Sequence, residues 1–219
     1  MLKSYVLRTG RFTDAQKNAY NALSEKYVLP FTEEKLDFSK AFGNASTVTA
    51  EIGFGMGLAT AAIAEANPHK NYLGIEVHRP GVGKILWEIE KRSLFNIRII
   101  EHDAVQVMEK MIPAGSLEAV HIFFPDPWPK KRHRKRRLVQ RPFTETLAQS
   151  LTPGGYLYMV TDWEDYAVHA LEELSACTHL RNSFEGFAPV QTWRPLTKFE
   201  KKGLAKDHAI REILFTRIM

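Results

Sequence analysis

From Thr47 onward the chain alternates short apolar strands with helical stretches, and this alternation limits the folds that it can adopt. The hydrophobic period switches repeatedly between two residues and about 3.6 residues. The predicted strands are residues 47–52, 72–77, 97–100, 117–124 and 156–160, and the predicted helices are residues 58–66, 81–94, 104–111, 144–151 and 164–176. Because parallel strands are joined by helical crossovers, this order predicts an α/β fold with a mostly parallel central sheet and helices on both faces.

The two ends of the chain depart from this alternation. Residues 1–45 are predicted to form an N-terminal extension with one helix near 15–27, and residues 46–219 are predicted to form the main domain. Near the C-terminus, Val190–Trp193 and Ala209–Arg217 have the pattern of two strands separated by a polar, lysine-rich loop. These strands predict an antiparallel pair at the edge of the sheet, an arrangement that mixed sheets tolerate.

Acidic side chains stand at or just after the predicted strand ends. They are Glu51, Glu76, Asp103, Asp126 and Asp162. Ligands of such sheets bind beyond the carboxyl ends of the strands. We therefore expect these five acids to line one rim of the sheet and to form one site.

A glycine-rich turn joins the first predicted strand to the first helix of the sheet. Its glycines are Gly53, Gly55 and Gly57, in the spacing G-x-G-x-G. Glycine allows a positive φ and lets the backbone approach a ligand closely. A tight turn without any ligand is the alternative, and the acids that follow favour a cofactor site.

The charges around the turn favour S-adenosylmethionine over NAD as that cofactor. Glu51 stands two residues before the first glycine, where it would repel a diphosphate but attract the cationic amino acid portion of S-adenosylmethionine. Glu76 is placed to accept hydrogen bonds from the ribose hydroxyls. Asp103 is placed to meet the exocyclic amine of adenine.

A proline-rich acidic turn leads directly into a dense run of cations. Residues 124–137 read Phe-Pro-Asp-Pro-Trp-Pro-Lys-Lys-Arg-His-Arg-Lys-Arg-Arg, and seven of the last eight are Lys or Arg. Pro125 and Pro127 stiffen the backbone around Asp126, as a carboxylate beside a reacting group requires. The cations are suited to backbone phosphates, and the net charge of +5 agrees with a polyanionic partner. The alternative is a solvated basic loop.

Other polar groups are candidates for contacts with a splayed-out base. Lys130 is the cation nearest Asp126, and Trp128 offers a ring for stacking. Asp162 and the segment Thr197, Lys198, Phe199 and Glu200 supply hydroxyl, aromatic and carboxylate groups. Such groups read the edge and face of an unstacked base, although on their own they are equally consistent with an exposed loop.

Several classes of protein are disfavoured by what the sequence lacks. Cys177 is the single cysteine, so an internal disulfide is impossible, and no two histidines have the i, i+3 or i, i+4 spacing of a helical metal site. No apolar stretch approaches the roughly 20 residues of a membrane helix, and the first residues do not resemble a secretory signal. We expect a soluble cytoplasmic protein without a metal.

Together these motifs resemble the bacterial tRNA (guanine-N7)-methyltransferases of the TrmB type over about residues 47–218. The similar motifs are Glu51-Ile52-Gly53-Phe54-Gly55-Met56-Gly57, Gly74-Ile75-Glu76, the run from Phe124 to His133, Val160-Thr161-Asp162 and Thr197-Lys198-Phe199-Glu200. The resemblance implies a Rossmann-like class I methyltransferase fold and methylation of N7 of the guanosine at position 46, in the variable loop of tRNA. The proline-rich run and the T-x-F-E loop are its most specific parts.

The resemblance also implies a role for each motif residue. Those that contact S-adenosylmethionine would be Glu51, Gly53, Gly55, Gly57, Glu76, Asp103 and Asp126, and Asp126 would also be the catalytic residue. Lys130, Asp162, Thr197, Lys198, Phe199 and Glu200 would hold the substrate. The RNA contacts would be Arg132, His133, Arg134, Lys135, Arg136 and Arg137.

The chemistry of the reaction agrees with these roles, and two other functions remain as alternatives. Guanine N7 has a free lone pair, so no base is needed, and a fixed carboxylate such as Asp126 could stabilise the charge that develops on the purine. The alternatives are an NAD-dependent oxidoreductase, which the position of Glu51 disfavours, and a noncatalytic RNA-binding protein. The sequence predicts no redox group, and a monomer and a homodimer are equally compatible with it.

Overall fold

A computed structural model describes residues 3–6, 10, 12–195, 200 and 209–219. The chain forms two compact units, of which one comprises residues 7–113 and the other residues 1–6 with 114–219. In the part of the chain that is described, no helix has both the length and the apolar character needed to cross a membrane.

The described part of the unit of residues 7–113 contains three parallel strands and five helices. In chain order they are α1 (Asp14–Tyr27), α2 (Phe38–Phe42), β1 (Val48–Ile52), α3 (Leu58–Ala66), β2 (Asn71–Glu76), α4 (Arg79–Arg92), β3 (Ile97–Glu101) and α5 (Ala104–Lys110). Strand β2 lies between β3 and β1 and is parallel to both. Every residue of β1 is buried, as expected for a strand covered on both faces.

Helix α1 is part of this unit and packs against α4. The helix begins at a capping box in which Thr13 and Gln16 satisfy each other's backbone N–H groups. A Cβ atom on Gly83 in α4 would lie 2.7 Å from the carbonyl oxygen of Gln16, so glycine lets the two helices approach closely. Residues 14–27, which the sequence places in an N-terminal extension, therefore form a helix that packs against α4 within this unit.

Among its described residues, the other unit contains four strands. Its elements are β4 (Leu117–Phe123), a 3-10 helix (Lys131–Arg136), α6 (Phe143–Ser150), β5 (Leu151–Thr161), α7 (Glu164–Ser175), β6 (Leu180–Asn182) and β7 (Arg211–Arg217). Strands β4 and β5 are parallel, and β7 runs antiparallel to both β5 and β6, in the order β4-β5-β7-β6. The prediction of a mostly parallel sheet that ends in antiparallel strands is confirmed.

Three local predictions were wrong. Val190–Trp193 is not a strand, because Gln191 donates its backbone N–H to the carboxylate of Glu212 and the chain turns at 192–193. The antiparallel partner of β7 at this edge is instead β6, only three residues long. Strand β5 begins at Leu151 and includes the Thr-Pro-Gly-Gly segment, which the pairing with β4 accommodates by a shift in register after Leu117.

Candidate active site

The carboxyl ends of β1, β2 and β3 lie at the same edge of their sheet. Ile52 is paired with Ile75, and Glu76 is paired with Glu101. Glu51 is the penultimate residue of β1 and Glu76 is the last residue of β2, so both lie at this edge. Within this unit, Glu51 and Glu76 therefore stand at one edge of the sheet, and their function as one site stays a prediction.

The glycine-rich turn at this edge has the backbone that its sequence predicts. Gly53, Gly55 and Gly57 have φ angles of 74°, 59° and 68°, a region that favours glycine. A Cβ atom on Gly57 would lie 2.6 Å from the Cβ of Ile85, so this glycine serves the packing of the turn against α4. Cβ atoms on Gly53 and Gly55 would have no atom within 4 Å, which leaves space for a ligand over the first part of the turn.

The Glu76 carboxylate holds this turn in shape. One oxygen accepts a hydrogen bond of 2.8 Å from the backbone N–H of Gly55, and the other accepts hydrogen bonds from Val77 and His78. Burial raises the pKa of Glu76, and these three backbone donors oppose the increase. Gly81 lies directly against the same turn, and a larger residue would not fit there, because a Cβ would lie 2.0 Å from the carbonyl oxygen of Gly55.

Glu51 is a buried carboxyl group, with 4% of its surface exposed. Burial raises the pKa of Glu51 to about 7, and the nearby Glu76 contributes to the rise, whereas the Thr60 hydroxyl opposes it. A buried carboxylate without a cation is costly, and a cationic ligand group would relieve that cost. The position is therefore suited to a positively charged part of a ligand.

Replacing Glu51 is expected to change how the stability of the protein depends on pH. Because the folded-state pKa lies above the unfolded value, the free energy of unfolding should fall as the pH rises from about 4.5 to about 7. Glu51→Gln should remove that fall, which amounts to about 3 kcal/mol at about 1.4 kcal/mol per pH unit. Urea unfolding of both proteins at pH 5 and pH 8 measures this. Glu109→Gln, at an exposed position, should keep the wild-type dependence, and an unchanged dependence in Glu51→Gln would contradict the assignment.

Asp103 has a structural function in this unit. It is the N-cap of α5, and its Oδ1 accepts hydrogen bonds from the backbone N–H groups of Val105 and Gln106. Strand β3 ends at Glu101, so Asp103 follows the strand and is not its last residue. Its predicted contact with adenine stays a prediction.

In the other unit, the carboxyl ends of β4 and β5 are adjacent. Phe123 is paired with Val160, and Phe124 donates its backbone N–H to the carbonyl of Val160 at 2.8 Å. The loop that carries Asp126 follows β4, and Asp162 directly follows β5, so both begin at this edge. That these residues form one site with Glu51, Glu76 and Asp103 stays a prediction.

The backbone around Asp126 is strained. Phe124 and Trp128 have φ angles of 50° and 45°, in a region that bulky residues rarely adopt. Each such residue costs about 1–3 kcal/mol and persists only where its surroundings impose the conformation. Asp126 itself is exposed and forms no hydrogen bond with the described residues. The loop thus fixes the backbone and presents the carboxylate to solvent.

The cations after Asp126 form the 3-10 helix, and they divide into two groups. Lys130, Lys131, Arg132 and Lys135 are exposed and have no ion pair with any described residue. We call these four residues the free basic group. Arg134 belongs to the second group, since its Nη2 lies 2.9 Å from Oδ1 of Asp165. Partial burial and the neighbouring cations lower the pKa of His133, so this ring adds little positive charge near pH 7.

Arg137 is the anchor of the loop, and its predicted contact with RNA is wrong. The residue is 2% exposed. Its guanidinium donates to the Pro127 carbonyl at 3.0 Å, forms an ion pair with Asp165 and lies over the ring of Tyr166. Since these partners use the whole guanidinium, Arg137 fastens the Asp126 loop to α7.

Arg136 and Trp128 contact the beginning of the chain. The Arg136 guanidinium lies 3.8 Å from the centre of the Trp128 ring and donates to the carbonyls of Lys3 and Tyr5. Trp128 donates its indole N–H to the carbonyl of Ser4 at 2.9 Å. In this conformation the Trp128 ring covers the loop and is stacked on an arginine.

The last predicted substrate segment is only partly described. Thr197, Lys198 and Phe199 lie outside the described residues. Glu200 is buried and accepts two hydrogen bonds from Arg194, which also pairs with the buried Glu212 and donates to Tyr158. Sequence patterns missed Arg194, because a single arginine between Trp193 and Pro195 carries no signal of its burial.

Comparison with known proteins places these motifs in a family. A family model described as "Putative methyltransferase" matches residues 45–213. The tRNA (guanine-N(7)-)-methyltransferase of Paracidovorax citrulli is 54% identical, over 99% of this chain and 87% of its own. The protein of the same name from Nitrosomonas eutropha is 49% identical, over 99% of this chain and 96% of its own.

Solved structures are similar in fold at low sequence identity. The 16S rRNA methyltransferase KamB is 14% identical with a TM-score of 0.61, over 85% of this chain and 95% of its own. A 16S rRNA (adenine(1408)-N(1))-methyltransferase from Catenulisporales acidiphilia, solved with its cosubstrate SAM, is 14% identical with a TM-score of 0.59, over 84% of this chain and 93% of its own. These likenesses confirm the predicted methyltransferase fold.

Proposed function

The chain belongs to the tRNA (guanine-N(7)-)-methyltransferase family, and on that premise we propose that it methylates N7 of the guanosine at position 46 of tRNA. Its cofactor is S-adenosylmethionine, not NAD. The observation that carries the proposal is the strained Asp126 loop, which leads directly into the free basic group. A carboxylate held beside exposed cations is suited to a reaction on an RNA base. A cytoplasmic location follows from the same proposal.

The reaction requires positioning more than acid–base chemistry. S-adenosylmethionine supplies a methyl group that is activated by its sulfonium. With the cofactor bound, the bond from N7 to the methyl carbon would form as the carbon–sulfur bond breaks, the bonding pair would stay on sulfur, and the positive charge would pass to the purine. Because N7 carries a lone pair and no proton, no residue acts as a general base. Orientation of the two reactants contributes up to about 7–11 kcal/mol.

Asp126 is the residue that we propose to act on the developing charge. Its carboxylate is exposed while the backbone on both sides is held in place by Phe124, Trp128 and the Arg137–Pro127 hydrogen bond. A preorganised anion stabilises a cationic purine without having to reorganise during the reaction. The strain in the loop is consistent with such preorganisation.

The residues of the glycine-rich turn are proposed to bind the cofactor. Glu51, when ionised, would face the cationic amino group, and the open space over Gly53 and Gly55 would receive the methionine portion. Glu76 would accept hydrogen bonds from the ribose hydroxyls while it holds the turn through Gly55. Asp103 would contact adenine through the oxygen that does not cap α5.

The free basic group is proposed to bind the tRNA backbone, with Lys130 and Asp162 nearest the target base. Each phosphate contact makes the slope of log K against log salt concentration steeper by about one unit. Arg134, Arg136 and Arg137 have partners within the protein, so they contribute less than their charge suggests. Thr197–Glu200 complete the proposed substrate contacts.

Neutralising part of the free basic group should weaken tRNA binding and flatten its salt dependence. We expect Arg132→Gln with Lys135→Gln to lower the slope by about two units, as two phosphate contacts are lost. Fluorescence anisotropy with labelled tRNA at several salt concentrations measures this. Lys91→Gln with Lys110→Gln removes the same charge from exposed positions elsewhere and should leave the slope unchanged. Equal slopes for both double variants would show that only the overall charge matters.

Transfer of a labelled methyl group to unmodified tRNA tests the proposed function. Nucleoside digestion should place the label in 7-methylguanosine, and a transcript with adenosine at position 46 should receive none. Label in 7-methylguanosine at another position would support the proposed reaction but contradict the proposed position 46. No label on RNA, from protein that binds both cofactor and tRNA, would favour the noncatalytic RNA-binding alternative.

A further inference from the structure

Three side chains with metal-binding donors meet outside the set of residues that we propose for methyl transfer. Glu145 lies in the first turn of α6, and Cys177 and His179 lie in the turn between α7 and β6. One ligand atom from each residue lies within 4.8 Å of the other two. The Cys177 Sγ is 3.2 Å and the His179 Nδ1 is 3.4 Å from the same oxygen, Oε2 of Glu145.

The geometry points to a site for a zinc ion, and we propose that Glu145, Cys177 and His179 bind Zn²⁺. Zinc–ligand bonds of about 2.0–2.3 Å in a tetrahedron separate the ligand atoms by about 3.3–3.8 Å. The two distances to Glu145 Oε2 are close to these separations. Sulfur, imidazole nitrogen and carboxylate oxygen together suit zinc, whereas magnesium and calcium prefer oxygen alone.

The backbone holds the two ligands of the turn in position. Cys177 donates its N–H to Leu174, and its carbonyl accepts from Leu180. The carbonyl of His179 accepts from Ile218, the residue after β7. A site held by such hydrogen bonds needs little reorganisation to bind an ion, which favours affinity.

The burial of the three residues leaves one side of the site accessible. Cys177 is 1% exposed, whereas the side chains of His179 and Glu145 are 47% and 36% exposed. The ion would enter from the side of His179, with a water molecule as its fourth ligand. The thiol proton, which Cys177 now donates to Glu145, is released to solvent as the sulfur–zinc bond forms.

This zinc would join α6 to the turn before β6, 32 residues later in the chain. It departs from the expectation that the protein binds no metal. Sequence spacing did not reveal the site, because its ligands come from two distant segments and not from one helix. The proposed ion has no part in methyl transfer.

Cobalt substitution tests the proposal, because Cys177 is the single cysteine of the chain. After removal of metals with a chelator, titration with Co²⁺ should give one equivalent of tightly bound cobalt. The spectrum should show a thiolate-to-cobalt charge-transfer band and the visible bands of tetrahedral cobalt. Any such charge-transfer band must come from Cys177. Zn²⁺ should abolish both bands and raise the melting temperature of the protein.

Two variants and one control make the result specific. Cys177→Ser should abolish the charge-transfer band, and His179→Ala should weaken cobalt binding by more than the roughly 10–100-fold effect of losing an outer-shell partner. His69→Ala removes an exposed histidine elsewhere and should change neither. Because His179 is half exposed, its replacement should leave the fold intact. Cobalt bound without the charge-transfer band, or no stoichiometric binding by the wild-type protein, overturns the zinc site.

Discussion

Asp126→Asn should reduce the rate of methyl transfer by about 10²–10³-fold while leaving the fold and cofactor binding nearly unchanged. The magnitude is that of removing one preorganised electrostatic partner of a transition state. Asparagine keeps the shape of the side chain but not its charge. Because the carboxylate is exposed and forms no hydrogen bond with the described residues, its loss should change stability by less than about 0.5 kcal/mol.

Single-turnover transfer from labelled S-adenosylmethionine to tRNA separates this effect from binding. Asp126→Ala should lose about as much rate as Asp126→Asn if charge is the important property. Glu172→Gln, at an exposed position of α7, should react at the wild-type rate. Calorimetric titration with the cofactor and thermal unfolding check binding and folding. Near-normal turnover in Asp126→Asn would mean that Asp126 only orients the reactants.

The prediction depends on the rigidity of the loop as much as on the carboxylate. Arg137 joins Pro127 to Asp165 and Tyr166, and its burial keeps the loop from relaxing. The positive φ angles of Phe124 and Trp128 remain only because such contacts impose them. The run from Phe124 to Arg137 therefore has two functions: Asp126 supplies the carboxylate, and Arg137 fixes the loop that carries it.

The strands and helices were predictable from periodicity where each has its own hydrophobic pattern. Helix α3 was predicted at its observed bounds, and β1 and α5 within one residue of theirs. The pattern failed at Val190–Trp193, where β-branched and aromatic residues favour a strand but a tertiary contact to Glu212 turns the chain. It also missed β6, because three residues are too few to show a period.

The site was predictable where a residue acts through local backbone geometry. All three glycines of the turn have the positive φ angles that their spacing suggests. The basic run was less predictable, since Arg132 and Arg137 are equivalent in sequence but only Arg137 has Asp165 beside it in the fold. Which charge is free and which is structural depends on residues far along the chain, and no local pattern contains that information.

Arg194→Met should destabilise the protein by about 3–5 kcal/mol, the cost of removing one partner of a buried ion pair. The Arg194 side chain is 2% exposed, and it is paired with the carboxylates of Glu200 and Glu212, which are also buried. These carboxylates and Tyr158 raise the pKa of Arg194 even though burial opposes the rise. Without the guanidinium, the two buried carboxylates would lose the cation that they share.

A matched arginine variant distinguishes the loss of this buried ion pair from the loss of any arginine. Urea unfolding of Arg194→Met, of the control variant and of the wild-type protein measures the difference. Arg211→Met removes an arginine paired with the exposed Glu164 and should cost no more than about 1 kcal/mol.

A second substitution locates the effect in the carboxylates. Adding Glu212→Gln to Arg194→Met should recover part of the lost stability, since one uncompensated charge is removed, and the two changes should not be additive. If the double variant loses more free energy of unfolding than the two single variants lose together, Arg194 acts through packing.

Arg194→Met should also affect the binding of tRNA, because Glu200 ends the proposed substrate segment and its carboxylate is no longer held by Arg194. We expect a higher KM for tRNA in Arg194→Met, whereas Arg211→Met should keep the wild-type value.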